Sequence, residues 1–345
     1  MADKLMIARG NYYFYSFIGS IPFMRTFFID CGNMIYSPEI FYKNCYGRYG
    51  IVAVNVEFME QILGLFSAAS AANAPFIVQT TPVARDYAGA DMLIAMISGA
   101  AKQYPKAKFA LHLDHGNEQH IDQALSSGGY TSVMIDASHD PFEQNLKRTR
   151  AVVEKAHAES MVVEAELGVL SGVEDDTSID EKKALYTDPS EVEEFITATG
   201  CDSLAIAVGT SHGAYKFSGG QGIQFDILRE IQDRMPGYPL VLHGGSAVNY
   251  EEIERINNAG GQLKADAKGV NPEELKKAIL YGVCKINIAT DTRLLWTRVV
   301  REFFRDHPEE FPPIKPGKIY MEEYKKFMLK KFDLVGATGK GGDFN

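Results

Sequence analysis

The sequence has 345 residues, of which 46% are hydrophobic and 23% charged, a composition typical of a globular protein with a large core. Its formal net charge of −10 argues against nucleic acid as the main partner. The four cysteines form no CxxC pair, so neither a thiolate zinc site nor a disulfide framework is predicted. Unpaired thiols are typical of reducing compartments, and the sequence therefore predicts a cytoplasmic protein.

The first 33 residues differ from the rest of the chain. Residues 12–29 are aromatic and apolar, but Pro22 and Arg25 interrupt them, so a membrane span is not expected. A signal peptide is a second interpretation, although no small-residue cleavage site follows. A third, slightly favoured, is an upstream extension ahead of a natural start at Met34. We therefore expect residues 1–33 to be an atypical extension, either disordered or non-native, and residues 34–345 to form one domain.

From residue 50 onward, short apolar runs alternate with amphipathic helical segments. The runs lack a period of two, as expected of parallel strands that are buried on both faces. There are eight of them, at 50–56, 75–81, 109–115, 132–138, 161–167, 203–209, 239–245 and 284–290. Helices are predicted between them, and a further helix at 320–332. This pattern predicts an α/β fold, a single TIM (β/α)8 barrel with an additional C-terminal helix. A doubly wound sheet is the alternative, but no GxGxxG motif opens the first helix.

Polar side chains collect where these predicted strands end, which is the active-site face of a TIM barrel. His115, His212 and His243 lie at the ends of the third, sixth and seventh strands. Three protein ligands with one open position are typical of a catalytic zinc site, and Glu166 is a fourth ligand or a hydrogen-bond partner. The loops after strands seven and eight are the usual phosphate site of this fold. The candidate residues at the remaining strand ends are Asn55, Thr81, Gly244, Gly245, Ser246, Asn287, Ile288, Ala289 and Thr290.

The third strand raises a geometric question. Strict alternation along a strand separates Asp114 from His115, and it places His112 on the face opposite His115. Asp114 and His115 can face one site only if the strand ends or bulges there. His112 is accordingly predicted to be a core residue or a residue behind the site.

Six motifs appear in order along the chain: HLDHG at 112–116, SVMIDASH at 132–139, EAELG at 164–168, GTSHGAY at 209–215, LHGGS at 242–246 and KINIAT at 285–290. Together they resemble the class II, zinc-dependent ketose-bisphosphate aldolases, a family that includes fructose-bisphosphate and tagatose-bisphosphate aldolases. The resemblance extends over about residues 36–310. It implies a homodimer or homotetramer that acts on a sugar phosphate, without nucleic-acid or membrane partners.

The resemblance also implies roles for individual residues. The three histidines would bind Zn²⁺, and Asp114 would be the acid/base group at the C4 hydroxyl of the sugar. Glu174, on the loop after the fifth strand, would move the proton on dihydroxyacetone phosphate. Gly213 and the loops after strands seven and eight would hold the phosphate of that triose, near a bound Na⁺ or K⁺.

Substrate choice follows from two further residues that the resemblance identifies. Arg293 would meet a second phosphate, and Asp266 would help to separate two sugars that differ only at C4. Both favour reversible cleavage of fructose 1,6-bisphosphate to dihydroxyacetone phosphate and glyceraldehyde 3-phosphate. The NIAT motif at 287–290 instead resembles tagatose members, so a tagatose 1,6-bisphosphate aldolase is the alternative. A non-catalytic phosphosugar-binding barrel is a third hypothesis, although binding alone would need neither Asp114 nor Glu174.

Overall fold

Eight of the apolar runs form parallel strands that close into a barrel. The computed structural model describes residues 35–170, 172–174, 177–179, 185–211, 222–264 and 269–344. The barrel strands are β1 (Ile51–Asn55), β2 (Pro75–Thr80), β3 (Lys108–Gly116), β4 (Ser132–Ile135), β5 (Val162–Leu167), β8 (Ser203–Ile206), β9 (Leu240–Leu242) and β10 (Val283–Ile288). They are hydrogen-bonded in the order β1-β10-β9-β8-β5-β4-β3-β2. The predicted TIM barrel is confirmed, and the doubly wound alternative is wrong because the sheet is closed.

Each predicted run overlaps one barrel strand, but several strands end earlier than predicted, and β3 extends one residue beyond its predicted run at each end. β9, for example, ends at Leu242, one residue before His243. The backbone turns there because Gly244 has a positive φ of 65°, a conformation that favours glycine. His243 and Ser246 therefore lie on the loop after β9, whereas Asn55, Asp114 and Asn287 lie within the last residues of their strands.

Two short strands lie outside the barrel, in the long loop after β5. They are β6 (Gly172–Glu174) and β7 (Thr177–Ile179), which pair antiparallel. The predicted extension at residues 1–33 lies outside the described residues.

Helices surround the barrel on its outer face. They are α1 (Pro38–Cys45), α2 (Met59–Ala72), α3 (Pro82–Ala88), α4 (Ala90–Gln103), α5 (Glu118–Ser127), α6 (Phe142–Ala158), α7 (Pro189–Thr199), α8 (Phe225–Arg234), α9 (Tyr250–Asn258), α10 (Pro272–Leu280), α11 (Thr290–Asp306) and α12 (Ile314–Leu334). Among these described helices, none combines the length and the apolar character needed to cross a bilayer.

The C-terminal helix α12 packs closely against α2. A Cβ at Gly64 would lie 2.8 Å from Cδ1 of Tyr324, so the small residue lets the two helices approach. Tyr320 and Tyr324 are fully buried at this contact. After α12 the chain returns to the barrel, where the Phe344 ring packs edge-on against Phe41 with centroids 5.0 Å apart. The predicted C-terminal helix thus forms part of the outer layer of the barrel.

Candidate metal centre and active site

A bulge at the end of β3 brings Asp114 and His115 to the same site. The pairing of β3 with β4 shifts register between Leu113 and Gly116, and His115 has a positive φ of 49°. Positive φ is uncommon for a residue other than glycine, and here it redirects the side chain that strict alternation would point away. One ligand atom each from Asp114, His115 and His243 lie within 4.8 Å of one another. The sequence required a strand end or a bulge for Asp114 and His115 to face one site, and the structure shows a bulge.

Two imidazole rings face each other at this point. Nε2 of His115 lies 3.0 Å from Nδ1 of His243, and the ring planes are 84° apart. A cation bound tetrahedrally at 2.0–2.1 Å from each nitrogen would hold the two nitrogens about 3.3 Å apart. The observed separation is close to that value.

The other nitrogen of each ring contacts a carboxylate. Nδ1 of His115 lies 3.0 Å from Oδ2 of Asp136, and Nε2 of His243 lies 2.9 Å from Oε1 of Glu164. An ionised carboxylate only accepts hydrogen bonds, so these ring nitrogens carry the protons. In the neutral form of both rings, the two nitrogens that face each other then present lone pairs, which fits a cation between them. A carboxylate behind a ligating histidine is the usual arrangement in metal sites.

Glu164 is part of a buried charge network inside the barrel. Its Oε2 lies 2.6 Å from Nζ of Lys285 and 3.6 Å from Nε2 of His112. Burial raises the pKa of Glu164, but the Lys285 ammonium and the hydrogen bond to His243 outweigh it and hold that pKa below its usual value. Burial lowers the pKa of His243 even though Glu164 opposes the shift. His243 is therefore neutral, the form that binds a metal.

His112 lies in the barrel core behind the metal centre, as predicted. Its Nδ1 is 2.8 Å from the hydroxyl of Ser132, and burial together with the nearby Lys285 charge holds its pKa well below the usual value.

Asp114 is fully buried and surrounded by donors. Its two oxygens accept hydrogen bonds from Nδ2 of Asn55 at 3.0 Å and from Nδ2 of Asn287 at 3.2 Å. Asn55 is in turn held by Gln79, whose Nε2 donates to Oδ1 at 2.6 Å. The carboxylate is thus fixed in orientation beside the two imidazoles.

Glu166 lies near both His115 and Asp136. Ligand atoms of His115, Asp136 and Glu166 lie within 4.8 Å of one another. Burial raises the pKa of Asp136, but its hydrogen bonds with His115 and Ser138 outweigh burial and place that pKa below its usual value. This geometry leaves both predicted roles of Glu166 open, as a ligand or as a hydrogen-bond partner.

The loops predicted to bind phosphate lie next to each other. A Cβ at Gly244 would be 2.4 Å from the Ser211 carbonyl oxygen, and one at Gly245 would be 2.9 Å from that of Asn287. Only glycine fits at these two positions without a shift of the backbone. Directly beside them, β10 ends at Ile288 and α11 begins at Thr290, after Ala289. Ser246 lies beside this helix start, because its hydroxyl accepts a hydrogen bond from the Asp291 amide at 3.5 Å.

Two other predicted residues, Thr81 and Arg293, have contacts of their own. Thr81 caps α3, since its hydroxyl accepts a hydrogen bond from the Ala84 amide at 3.2 Å. Arg293, in the first turn of α11, donates from Nε to Oε1 of Glu57 at 2.7 Å. His212, Gly213 and Asp266 lie outside the described residues, and for Glu174 the structure describes only the backbone, in β6.

Sequence reasoning did not assign roles to four charged residues of the site: Glu57, Asp136, Glu164 and Lys285. Glu164 and Lys285 carried a usable signal, because a charged residue within a strand buried on both faces must find a partner. Asp136 and Glu57 follow strands, where solvated side chains are equally common, so their sequence positions alone gave no such signal.

Comparisons with known proteins identify the family of this chain. The family described as "Fructose-bisphosphate aldolase class-II" matches residues 37–340. The fructose-bisphosphate aldolase of Thermus caldophilus is 41% identical over 302 residues, covering 88% of this chain and 98% of the relative. The fructose-bisphosphate aldolase of Giardia intestinalis is 39% identical over 302 residues, covering 86% of this chain and 91% of the relative.

Solved structures show the same architecture. The YdjI aldolase from Escherichia coli K12 has a TM-score of 0.71 and 27% identity, covering 89% of this chain and 100% of that chain. The fructose-bisphosphate aldolase from Campylobacter jejuni, at 23% identity and a TM-score of 0.67, covers 89% and 97% and supports the fold. The chain belongs to the class-II fructose-bisphosphate aldolase family and is therefore an aldolase, a carbon–carbon lyase.

Proposed function

We propose that this chain catalyses the reversible aldol cleavage of fructose 1,6-bisphosphate to dihydroxyacetone phosphate and glyceraldehyde 3-phosphate, with Zn²⁺ as the catalytic metal. The observation that carries the proposal is the pair of imidazole nitrogens of His115 and His243, 3.0 Å apart, with the Asp114 carboxylate beside them. The curated relatives are named fructose-bisphosphate aldolases, and class II aldolases use a divalent metal.

His115, His212 and His243 would hold the metal, with Glu166 as a fourth ligand or hydrogen-bond partner. Asp136 and Glu164 would keep each imidazole in the tautomer that ligation requires, because each accepts a hydrogen bond from the N–H of the non-ligating nitrogen. When bound, Zn²⁺ acts as a Lewis acid that stabilises negative charge developing on the ketone oxygen.

Two carboxylates of this chain would move the protons. Asp114 takes the proton from the C4 hydroxyl as the C3–C4 bond breaks, which leaves the C4 fragment as an aldehyde. The electron pair of that bond moves toward the C2 carbonyl, and Glu174 then supplies a proton to C3 of the triose. Asn55 and Asn287 keep Asp114 aimed at the substrate through the hydrogen bonds already described.

The phosphate of dihydroxyacetone phosphate would be bound by Gly213, by Gly244–Ser246 and by the segment 287–290, with Na⁺ or K⁺ nearby. Arg293 would bind the second phosphate, because a guanidinium can contact a phosphate through two parallel hydrogen bonds. Its present partner is Glu57, whose Oε1 lies 2.7 Å from Nη2. A second phosphate would therefore compete with Glu57 for this cation.

Tagatose 1,6-bisphosphate is the second candidate substrate. The observation that favours it is the NIAT motif at 287–290, which ends β10 and begins α11 and which resembles tagatose members. The two sugars differ at C4, the atom that Asp114 serves, and Asp266 would contribute to the choice. We further propose a cytoplasmic homodimer or homotetramer.

The test is a coupled cleavage assay with each bisphosphate, before and after treatment with EDTA and after addition of Zn²⁺. We expect cleavage that EDTA abolishes and Zn²⁺ restores, with the higher kcat/KM for fructose 1,6-bisphosphate. Asp114→Asn should lower kcat by about 10²–10⁴-fold while the metal content stays unchanged. A higher kcat/KM for the tagatose sugar would contradict the substrate assignment. Cleavage that survives complete removal of the metal would contradict the mechanism.

A further inference from the structure

A buried carboxylate supports the phosphate loop from behind. Asp291, in the first turn of α11, accepts hydrogen bonds from the backbone amides of Ala247 at 2.9 Å and Val248 at 2.8 Å. Its own amide donates to the hydroxyl of Ser246 at 3.5 Å. One residue therefore joins the start of the helix to the loop that follows β9.

The loop needs this support because its backbone is strained. Val248 has a positive φ of 40°, which is an outlier for a β-branched residue and is energetically unfavourable. Such a conformation persists only where surrounding contacts hold it. Other backbone hydrogen bonds also reach this loop: the Val270 amide donates to the Ser246 carbonyl at 3.3 Å, and the Gly245 amide donates to the Asn287 carbonyl at 3.1 Å.

Asp291 depends on a lysine from the C-terminal helix. Nζ of Lys331, in α12, lies 2.7 Å from Oδ2 of Asp291, and it also lies 4.9 Å from the ring centroid of Phe327. The Lys331 side chain is only 10% exposed, whereas the neighbouring Lys330 is exposed. Burying an ammonium is costly unless it is paired, so the position of Lys331 is tied to this carboxylate.

The ion pair with Lys331 neutralises the negative charge of Asp291. A carboxylate in the first turn of α11 would repel a phosphate bound at the same helix start. The Lys331 ammonium cancels that charge, so that Asp291 can hold the loop amides without opposing a second anion. A neutral acceptor such as asparagine could not receive the two amide hydrogen bonds equally well.

We propose that Lys331 is a positioning residue for the phosphate of the substrate and acts through Asp291. Together they fix the loop at 244–248 and neutralise the start of α11, which links the outermost helix of the fold to phosphate affinity. The proposal rests on the proposed function, because it assigns this loop to a substrate phosphate. Lys331 touches no reacting atom, so its loss should weaken binding more than turnover.

The experiment compares Lys331→Met, Lys331→Arg and the exposed control Lys330→Met in the full-length, metal-loaded protein. Calorimetry with inorganic phosphate gives the Kd, and the cleavage assay gives KM and kcat. We expect Lys331→Met to raise Kd and KM about tenfold, the effect of losing one hydrogen bond to a charged group, with kcat changed by less than about twofold. Lys331→Arg should recover most of the affinity, and Lys330→Met should match the original protein.

A second readout reports on the loop itself. Hydrogen exchange of a peptide covering residues 244–250 should become faster in Lys331→Met, because the amides of Ala247 and Val248 lose a fixed acceptor. If Lys331→Met does not fold, the double variant Asp291→Asn with Lys331→Met leaves no unpaired buried charge, and we expect it to show the same weakened phosphate binding. A folded variant of either kind with unchanged Kd and unchanged exchange would overturn the proposal.

These outcomes separate this inference from the proposed function. If the original protein cleaves neither bisphosphate but Lys331→Met still weakens phosphate binding, the proposed function fails and the inference is supported. If the original protein cleaves fructose 1,6-bisphosphate and Lys331→Met binds phosphate equally well, the inference fails alone. Failure of the original protein to bind phosphate would overturn the inference as well.

Discussion

The two histidines described at the metal centre are positioned in different ways. The His243 side chain is 0% exposed and rests on Glu164, which is itself paired with Lys285 inside the barrel. The His115 side chain is 17% exposed, rests on the partly exposed Asp136, and owes its direction to a bulged strand end. One half of the centre is therefore fixed by buried charge, and the other by backbone geometry at the rim.

The difference indicates which half is costly to disturb. A buried ion pair that loses one partner leaves an uncompensated charge in a medium of low dielectric constant. A partly exposed carboxylate at the rim can be replaced with less effect on the fold, because water reaches it. The two halves should thus separate in experiments that measure stability and metal affinity independently.

The largest effect should come from Lys285→Met, which breaks the buried half. It leaves Glu164 buried without its cation, and we expect a loss of about 3–5 kcal/mol in the free energy of unfolding. Urea unfolding of the metal-free protein would measure this. Lys276→Met, which removes a partly exposed lysine paired with Glu273, is the matched control and should change stability by less than about 0.5 kcal/mol. A similarly small loss for Lys285→Met would mean that the buried charge network contributes little to the free energy of unfolding.

The next largest effect should come from the exposed half of the centre, where a substitution should lower metal affinity with little loss of stability. Asp136→Asn should lower metal affinity by about 10–100-fold, with a much smaller change in stability than Lys285→Met. Competition with a chromogenic chelator would give the affinity. Asp202→Asn is the control, since Asp202 also contacts a histidine, His157, at 2.8 Å but at the surface. Equal metal affinity in the two variants would show that Asp136 does not orient His115.

A third test uses a buried carboxylate away from the metal, so that metal binding does not complicate the titration. Burial raises the pKa of Asp291, but Lys331 and the amides of Ala247 and Val248 outweigh it and hold that pKa below its usual value. A carboxyl whose pKa is lower in the folded state stabilises the fold above its unfolded pKa of about 3.9. That contribution is lost as the pH falls through the folded value.

Asp291→Asn should therefore lose less stability than the original protein when the pH is lowered from 6 to about 3, as urea unfolding at each pH would show. The exposed Asp226→Asn is the control and should follow the original protein. If Asp291→Asn loses as much stability at low pH as the original protein, the result would contradict the ion pair with Lys331.

The smallest effect concerns a second ion pair at the rim, Glu57 with Arg293. Surface pairs contribute about 0–1 kcal/mol, so Glu57→Gln should lower KM for a bisphosphate by at most about fivefold, because the second phosphate no longer competes for Arg293. Steady-state kinetics would measure this, with Glu39→Gln, which alters an exposed pair with Lys43, as the control. A rise in KM would mean that Glu57 instead holds Arg293 ready for the phosphate.

Much of the fold could be predicted from the sequence, because strands buried on both faces are continuous apolar runs. Each of the eight runs overlaps one strand of the barrel. The hairpin of β6 and β7 was missed, since three-residue strands have no pattern that separates them from a loop. Strand ends were placed too late where polar residues such as His243 follow the strand directly.

The candidate site was predictable in its residue types but not in its connections. Polar residues at the carboxyl ends of the strands identified the rim, because a parallel barrel gathers those ends. The partnership of Glu164 with Lys285 joins strands that are not neighbours in the sheet, so it depends on closure of the barrel. The bulge at His115 depends on the register of β3 against β4, which is a tertiary property that one strand sequence does not carry.

The bulge has a consequence for how the site responds to change. It lets two consecutive residues, Asp114 and His115, face one candidate centre, so a single peptide bond joins the proposed proton-transfer group to a proposed metal ligand. Any substitution that shifts the end of β3 displaces both groups together, and the spacing between the two chemical functions is then set by covalent geometry. Substitutions elsewhere in the sequence can therefore move Asp114 and His115 together within the barrel, while the distance between their Cα atoms stays nearly constant.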